Sequence, residues 1–271
     1  MTKTKNILAV HDISCVGRCS LTVALPIISH FGVEARVLPT GLLSTHTGGF
    51  TGFTFLDLTD EMRKILAAWK PLNLQFDSIY TGYLGSAEQI DLVKEILTTY
   101  PSNFSFDPVM ADNGELYPAF DDNFVAKMRE LVPLSNLIMP NLTEASFLTE
   151  IPYQTEQTEA FLSNLTEKLQ KMGAKNIVLT GIEKDNKIGA RAISETSEIT
   201  EYLTEKIGES YHGTGDIFGS VLVAELTKGE KLSTATTKAV DFVRESIRET
   251  PTDADLRYGV NFEAALEKDR K

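Results

Sequence analysis

The sequence predicts an α/β protein built on a largely parallel central sheet with helices on both faces. Short β-rich runs alternate along the chain with longer amphipathic ones, the order of successive βα units. Continuous apolar runs such as Ile177-Val178-Leu179 read as strands buried on both faces. Polar or glycine residues follow one predicted strand after another: Asp12, Gly82-Tyr83, Asp107, Asn141 and Thr180-Gly181. In open α/β sheets ligands sit beyond the carboxyl ends of the strands, so these positions point to one shared crevice.

The first buried strand spans 6–11, and a helix follows over 19–31 with Gly32 as its stop. A second strand covers 34–39, ahead of a Gly/Thr-rich segment, 40–54, that has no helical periodicity. Residues 58–69 are helical, 78–82 a strand and 87–99 a helix. Further strands fall at 104–107 and 137–139, with helices near 122–131 and 156–172. The strand at 177–180 precedes β-hairpins between 187 and 210, whose strands are 188–193 and 199–203. Helices over 213–227 and 232–248 close the pattern, and the stretch from Thr250, without strong periodicity, is expected at the surface. With no repeat and no low-complexity linker, residues 1–271 read as one domain with 250–271 peripheral to it.

A formal net charge of −12 and the lack of a long basic cluster make nucleic acid and anionic membrane surfaces poor partners. No apolar stretch reaches membrane-spanning length and no signal core precedes the first strand, so a cytoplasmic location is expected. The two cysteines, Cys15 and Cys19, cannot complete a zinc site and read as packing residues, with Cys15 the better placed to line a pocket. The four histidines are scattered, and no P-loop, Rossmann fingerprint, H-E-x-x-H or G-x-S-x-G sequence occurs.

The most informative motif is Gly213-Thr214-Gly215-Asp216 ahead of an apolar helix. Glycines let backbone N–H groups turn toward an anion, and a helix N-terminus adds its positive end. A carboxylate beside such a hole suits a base that takes a proton from an attacking hydroxyl, while an ordinary helix start with an acidic first turn explains most such stretches. A second acidic group comprises Asp107, Asp112, Asn141 and Glu144. Such hard oxygen donors suit Mg²⁺, and Asn141 with Glu144 also suits a helix capping box; the two readings are compatible. The segment Ser44-Thr45-His46-Thr47-Gly48-Gly49-Phe50 fits either a lid over a flat polar ring or a plain loop.

Together these runs resemble the ribokinase superfamily and, more narrowly, its vitamin B6 branch, the pyridoxal kinases. The resemblance rests on His11-Asp12-Ile13-Ser14-Cys15-Val16-Gly17, Ser44-Thr45-His46-Thr47-Gly48, Thr81-Gly82-Tyr83-Leu84-Gly85-Ser86-Ala87-Glu88-Gln89, Phe106-Asp107-Pro108-Val109-Met110, Met139-Pro140-Asn141-Leu142-Thr143-Glu144 and Gly213-Thr214-Gly215-Asp216. It implies a three-layer α/β/α ribokinase-like fold and transfer of the ATP γ-phosphoryl group to a 5′-hydroxymethyl group. In that reading Asp216 is the base, and Gly213, Thr214 and Gly215 form the anion hole. Asp107, Asp112 and Glu144 organise Mg²⁺, and Asn141, Glu144, Thr180, Gly181, Thr214 and Gly215 line the ATP side. Asp12, His46, Thr47 and Tyr83 surround the vitamer with Asp216, and residues 45–55 close over it. Asp12 stands where these kinases often carry serine, which bears on the preferred vitamer. The resemblance also implies a homodimer and leaves a monovalent-cation requirement open. Rival readings are a hydroxymethylpyrimidine kinase of thiamine synthesis, whose substrate is also a flat ring with a hydroxymethyl arm, and a silent vitamer-binding protein.

Overall fold

The computed structural model describes residues 4–208 and 211–269. Its centre is a nine-stranded sheet: β1 (Asn6–Ser14), β2 (Glu34–Leu43), β3 (Phe55–Asp57), β4 (Ser78–Thr81), β5 (Asn103–Phe106), β8 (Leu137–Ile138), β9 (Asn176–Lys184), β10 (Lys187–Ile193) and β11 (Ile199–Glu205). The order across it is β11-β10-β9-β8-β5-β4-β1-β2-β3. Pairings from β2 through β9 are parallel, and the edges β3, β10 and β11 join antiparallel. A two-stranded ribbon, β6 (Ala111–Asp112) with β7 (Glu115–Leu116), lies outside it.

Helices α2 (Thr59–Trp69), α3 (Ala87–Thr99), α4 (Asp122–Arg129), α5 (Leu142–Thr149) and α6 (Glu159–Lys171) contribute to one apolar layer, through residues such as Met62, Ile90, Phe124, Leu148 and Phe161. On the other face α1 (Leu21–His30), α7 (Thr214–Lys228), α8 (Leu232–Arg248) and α9 (Phe262–Asp269) pack through Ile27, Val221, Ala239 and Phe262. The expected three-layer arrangement with a mostly parallel sheet is therefore present. Among the described residues no helix is long and apolar enough to cross a membrane.

Several local expectations need correction. Strand β1 runs on through Asp12, and β9 through Thr180 and Gly181, so these residues lie within strands rather than after them. Both are places of irregularity: the β1–β2 register shifts between His11 and Ile13, and Thr180 and Ile182 pair with Ala190 and Gly189 around an extra residue, Gly181 at φ 71°. The extra residue lies on β2 at the first place and on β9 at the second, and each interrupts the regular ladder locally. The 40–54 segment is partly strand, because β2 extends to Leu43. The hairpin expectation extended to Glu209 and Ser210, which lie outside the described residues. The C-terminal stretch is not wholly superficial, since α9 buries Phe262 and Ala265, and Val260 is also buried.

Candidate active site

The chain steps from β1 to β2 on one side and later to β4 on the other, and loops diverge at this switch point. Gly82 and Tyr83 follow β4 there, Asp107 follows β5, and Asp12 lies in β1 opposite the extra residue of β2. Gly213 caps α7 with φ 78°, and Asp216 sits in the first turn of that helix.

Asp216 is half-buried, and its Oδ2 accepts from the Ser20 N–H at 2.9 Å and the Cys19 thiol at 3.3 Å. Burial raises its carboxyl above the ordinary value; those two donors and the nearby His46 oppose the rise. The first N–H groups of an α-helix have no acceptor within the helix. A side-chain carbon on Gly215 would meet nothing within 4 Å, so the space above these donors is open. The arrangement can seat an anion at the α7 N-terminus beside a carboxylate held by neighbouring donors.

Asp12 is 4% exposed; its Oδ2 accepts from Ser14 Oγ at 3.2 Å, while Oδ1 is buried without a partner. Burial, opposed by the Ser20 hydroxyl and reinforced by the Asp216 charge, raises its pKa to about 6. A folded pKa above the unfolded 3.8 means that the folded chain holds this proton more tightly. The group therefore costs stability progressively as pH rises from about 4 through 6, and the cost stays above that window. Asp12→Asn is expected to add about 1–3 kcal/mol of unfolding free energy at pH 8 and little below pH ~4. Urea denaturation across that range checks this, and a gain independent of pH would refute the ionisation account.

Tyr83 is half-buried, edge-on to Phe55 at 6.5 Å and tilted against Phe120 at 5.6 Å. Burial and then the charges of Asp12 and Asp57 push its hydroxyl up to about 12, so it stays a hydrogen-bond donor. Thr47 is exposed on the same loop as His46. His46 lies buried on that loop. Its Nε2 donates to the Arg257 carbonyl at 2.6 Å and its Nδ1 accepts from the Gly48 N–H at 3.1 Å, so both nitrogens are taken. These bonds tie the loop to the C-terminal segment, where Phe50 also meets Tyr258 edge-on at 5.3 Å.

On the far side, Asn141 and Glu144 form a complete capping box at the start of α5. Asn141 Nδ2 also donates to the Ala111 carbonyl at 2.9 Å, and Glu144 accepts from the Met110 N–H at 3.3 Å and the Asn141 N–H at 2.8 Å. Thr180 is tied to the same corner by its N–H to the Pro140 carbonyl at 3.0 Å, and Gly181 lies exposed beside it. Asp107 is held well above the ordinary carboxyl range by burial and then by Asp216; Glu144 is raised likewise by burial and then by Asp107. Asp112 is exposed on β6. No three side chains among the described residues converge as a ready-made metal cage. The donor set nevertheless fits Mg²⁺, which takes few carboxylates and keeps its waters, and a cation would relieve the crowding of Asp107 with Glu144.

Cys19 is the site residue that sequence reasoning missed: Cys15 is exposed, whereas Cys19 touches Asp216. No spacing signal distinguishes the two thiols; only the turn into α1 brings Cys19 across.

A family profile described as phosphomethylpyrimidine kinase matches residues 25–260. A structure from Bacteroides thetaiotaomicron, named as a candidate phosphomethylpyrimidine kinase in a crystal form with pyridoxal, is similar over 99% of this chain and 96% of its own, at 39% identity and a TM-score of 0.93. The pyridoxal kinase of Lactobacillus plantarum is similar over 99% of each chain, at 31% identity and a TM-score of 0.91. The hydroxymethylpyrimidine/phosphomethylpyrimidine kinase of Haemophilus influenzae is 27% identical across 91% of this chain and 92% of its own length.

Proposed function

Because the chain belongs to the phosphomethylpyrimidine kinase family of ribokinase-like kinases, we propose that it transfers the γ-phosphoryl group of ATP to the 5′-hydroxymethyl group of a vitamin B6 vitamer. The observation that carries the chemistry is Asp216, its carboxylate held beside the open N-terminus of α7. An alcohol is a poor nucleophile, and Asp216 takes its proton as the new P–O bond forms and the bond from the γ-phosphorus to the departing ADP breaks. Backbone donors of Gly213, Thr214 and Gly215, with the positive end of α7, offset charge on the phosphoryl oxygens in the transition state. Asp12, Thr47 and Tyr83 flank the vitamer, with His46 ordering the loop that carries Thr47. Asn141, Glu144, Thr180 and Gly181 form the nucleotide side. Asp107, Asp112 and Glu144 are assigned to Mg²⁺ and its waters; when bound, the ion supplies positive charge against the phosphates.

The likeness to a structure holding pyridoxal supports the vitamin B6 assignment. A second reading, phosphorylation of hydroxymethylpyrimidine, has the family description and the Haemophilus relative in its favour. ADP release with Mg-ATP and, separately, pyridoxal, pyridoxine, pyridoxamine and hydroxymethylpyrimidine tests the choice. At least one B6 vitamer is expected to turn over with a kcat/KM at least about tenfold above that of the pyrimidine, about 1.4 kcal/mol in the barrier. A pyrimidine preference would move the protein to the second reading. We also assign a homodimer: Leu42, Phe53, Phe55 and Leu56 leave an exposed apolar edge at β3 that a second copy would cover.

A further inference from the structure

Ser20, the residue before α1, stands at φ 55° and ψ −134°, a region that residues with side chains rarely adopt. Its hydroxyl caps no N–H of that helix, so capping does not explain the conformation. Strained backbone persists only where the surroundings hold it, and such positions cluster at functional sites. Here the unusual conformation directs the Ser20 N–H to Asp216 Oδ2 at 2.9 Å, and the preceding residue places its thiol sulfur 3.3 Å from the same oxygen. The other carboxylate oxygen, Oδ1, receives no protein hydrogen bond among the described residues. Close packing fixes the turn, since a Cβ on Gly213 would overlap the Arg18 carbonyl oxygen.

We propose that Cys19 and Ser20 form a clamp that holds the Asp216 carboxylate by Oδ2 and leaves Oδ1 to face the hydroxyl being phosphorylated, with Cys19 a positioning residue. This rests on Asp216 being the base. The final torsion of an aspartate is broad, so one donor alone leaves the carboxylate free to rotate, whereas two donors converging on one oxygen select an orientation. Cys19 acts as a donor and not as a nucleophile. Burial, followed by the charges of Asp216 and Asp12, holds its thiol well above the ordinary range. The other titratable groups near Asp216 are Asp12 on β1, Tyr80 on β4, Asp107 after β5 and His46 on the β2–β3 loop. The clamp adds hydrogen-bond donors to a predominantly acidic set.

The test compares Cys19→Ala, Cys19→Ser and Asp216→Asn in steady-state kinetics with Mg-ATP and the best alcohol substrate from the panel above, across pH. Cys19→Ala is expected to lower kcat by about 5–50-fold with both KM values within about twofold, the split left by a misaligned base. The acid limb of its kcat profile is expected to move to higher pH, because the carboxylate has lost a donor. Cys19→Ser, which keeps a donor, is expected to recover kcat to within about threefold and to bring the limb back. A Cys19→Ala enzyme with wild-type kcat and acid limb would overturn the clamp, as would a Cys19→Ser enzyme no better than Cys19→Ala, which would assign the effect to packing. Asp216→Asn separates the two levels: if it keeps its turnover, the base assignment fails whatever the cysteine variants do.

Discussion

Asp216→Asn is expected to lose about 10²–10⁴-fold in kcat, roughly 3–5 kcal/mol of transition-state stabilisation, while folding at least as stably as the parent near neutral pH. The two halves of this result have one cause. The carboxylate is raised by burial, so its ionised form costs folding free energy that the neutral amide does not incur. The amide oxygen can still accept from the Ser20 N–H, so the turn that packs on α7 keeps its partner. What the amide cannot do is take a proton from an alcohol. KM values for both substrates are expected to stay within a few-fold, since the anion hole and the ring pocket are untouched. Chemical denaturation beside initial rates reads both halves. A variant with wild-type kcat would remove Asp216 from the chemistry, and a variant that melts early would show that the ionised group supports the fold.

The second large effect separates the two glycines of the same motif. Gly213 stands at φ 78°, and a Cβ there would overlap the Arg18 carbonyl oxygen, a backbone atom that cannot swing aside. Gly213→Ala is therefore expected to cost about 2–4 kcal/mol of stability, combining the left-handed backbone penalty with overpacking. Gly215 has no such constraint: a Cβ meets nothing within 4 Å, and alanine is the better helix former. Gly215→Ala is expected to keep or slightly raise stability and yet to impair phosphoryl transfer by about tenfold or more, because on the proposed function the added methyl crowds the phosphate-binding start of α7. Urea melts and kinetics on the pair distinguish a turn glycine from a cradle glycine. Equal loss of stability in both, or full activity in Gly215→Ala, would contradict this division.

The layer order and most helices were legible in the sequence because periodicity is a local property. Helices α2, α3 and α8 bury one stripe each, and Leu232–Arg248 repeats that stripe over its full length. The β6–β7 ribbon and α9 were not legible, for two different reasons. The ribbon pairs only two residues on each strand, too few for any alternation to show. In α9 the apolar positions are sparse, and what organises it is burial of Phe262 and Ala265 against the rest of the second core. The ends of β1 and β9 were missed because a bulge is a property of the partner strand's register as much as of the strand itself.

The candidate site divides along the same line. By itself the sequence determined which chemical groups this protein carries: an aspartate after glycine opening a helix, a carboxylate after a strand at Asp107, and a capping box at Asn141 and Glu144, each written within a few consecutive residues. Only the tertiary structure decided which of them meet and in what state. It set Cys19 and Ser20 against Asp216 across 197 and 196 positions of chain, left Cys15 exposed, and used both nitrogens of His46 within the loop and the C-terminal segment. It also buried Asp12 deeply enough to move its ionisation to about pH 6. Local composition encodes capacity, such as donor, acceptor, charge and turn. Partner and protonation state depend on desolvation and on distances of a few ångströms between segments remote in sequence, and no local pattern carries either quantity.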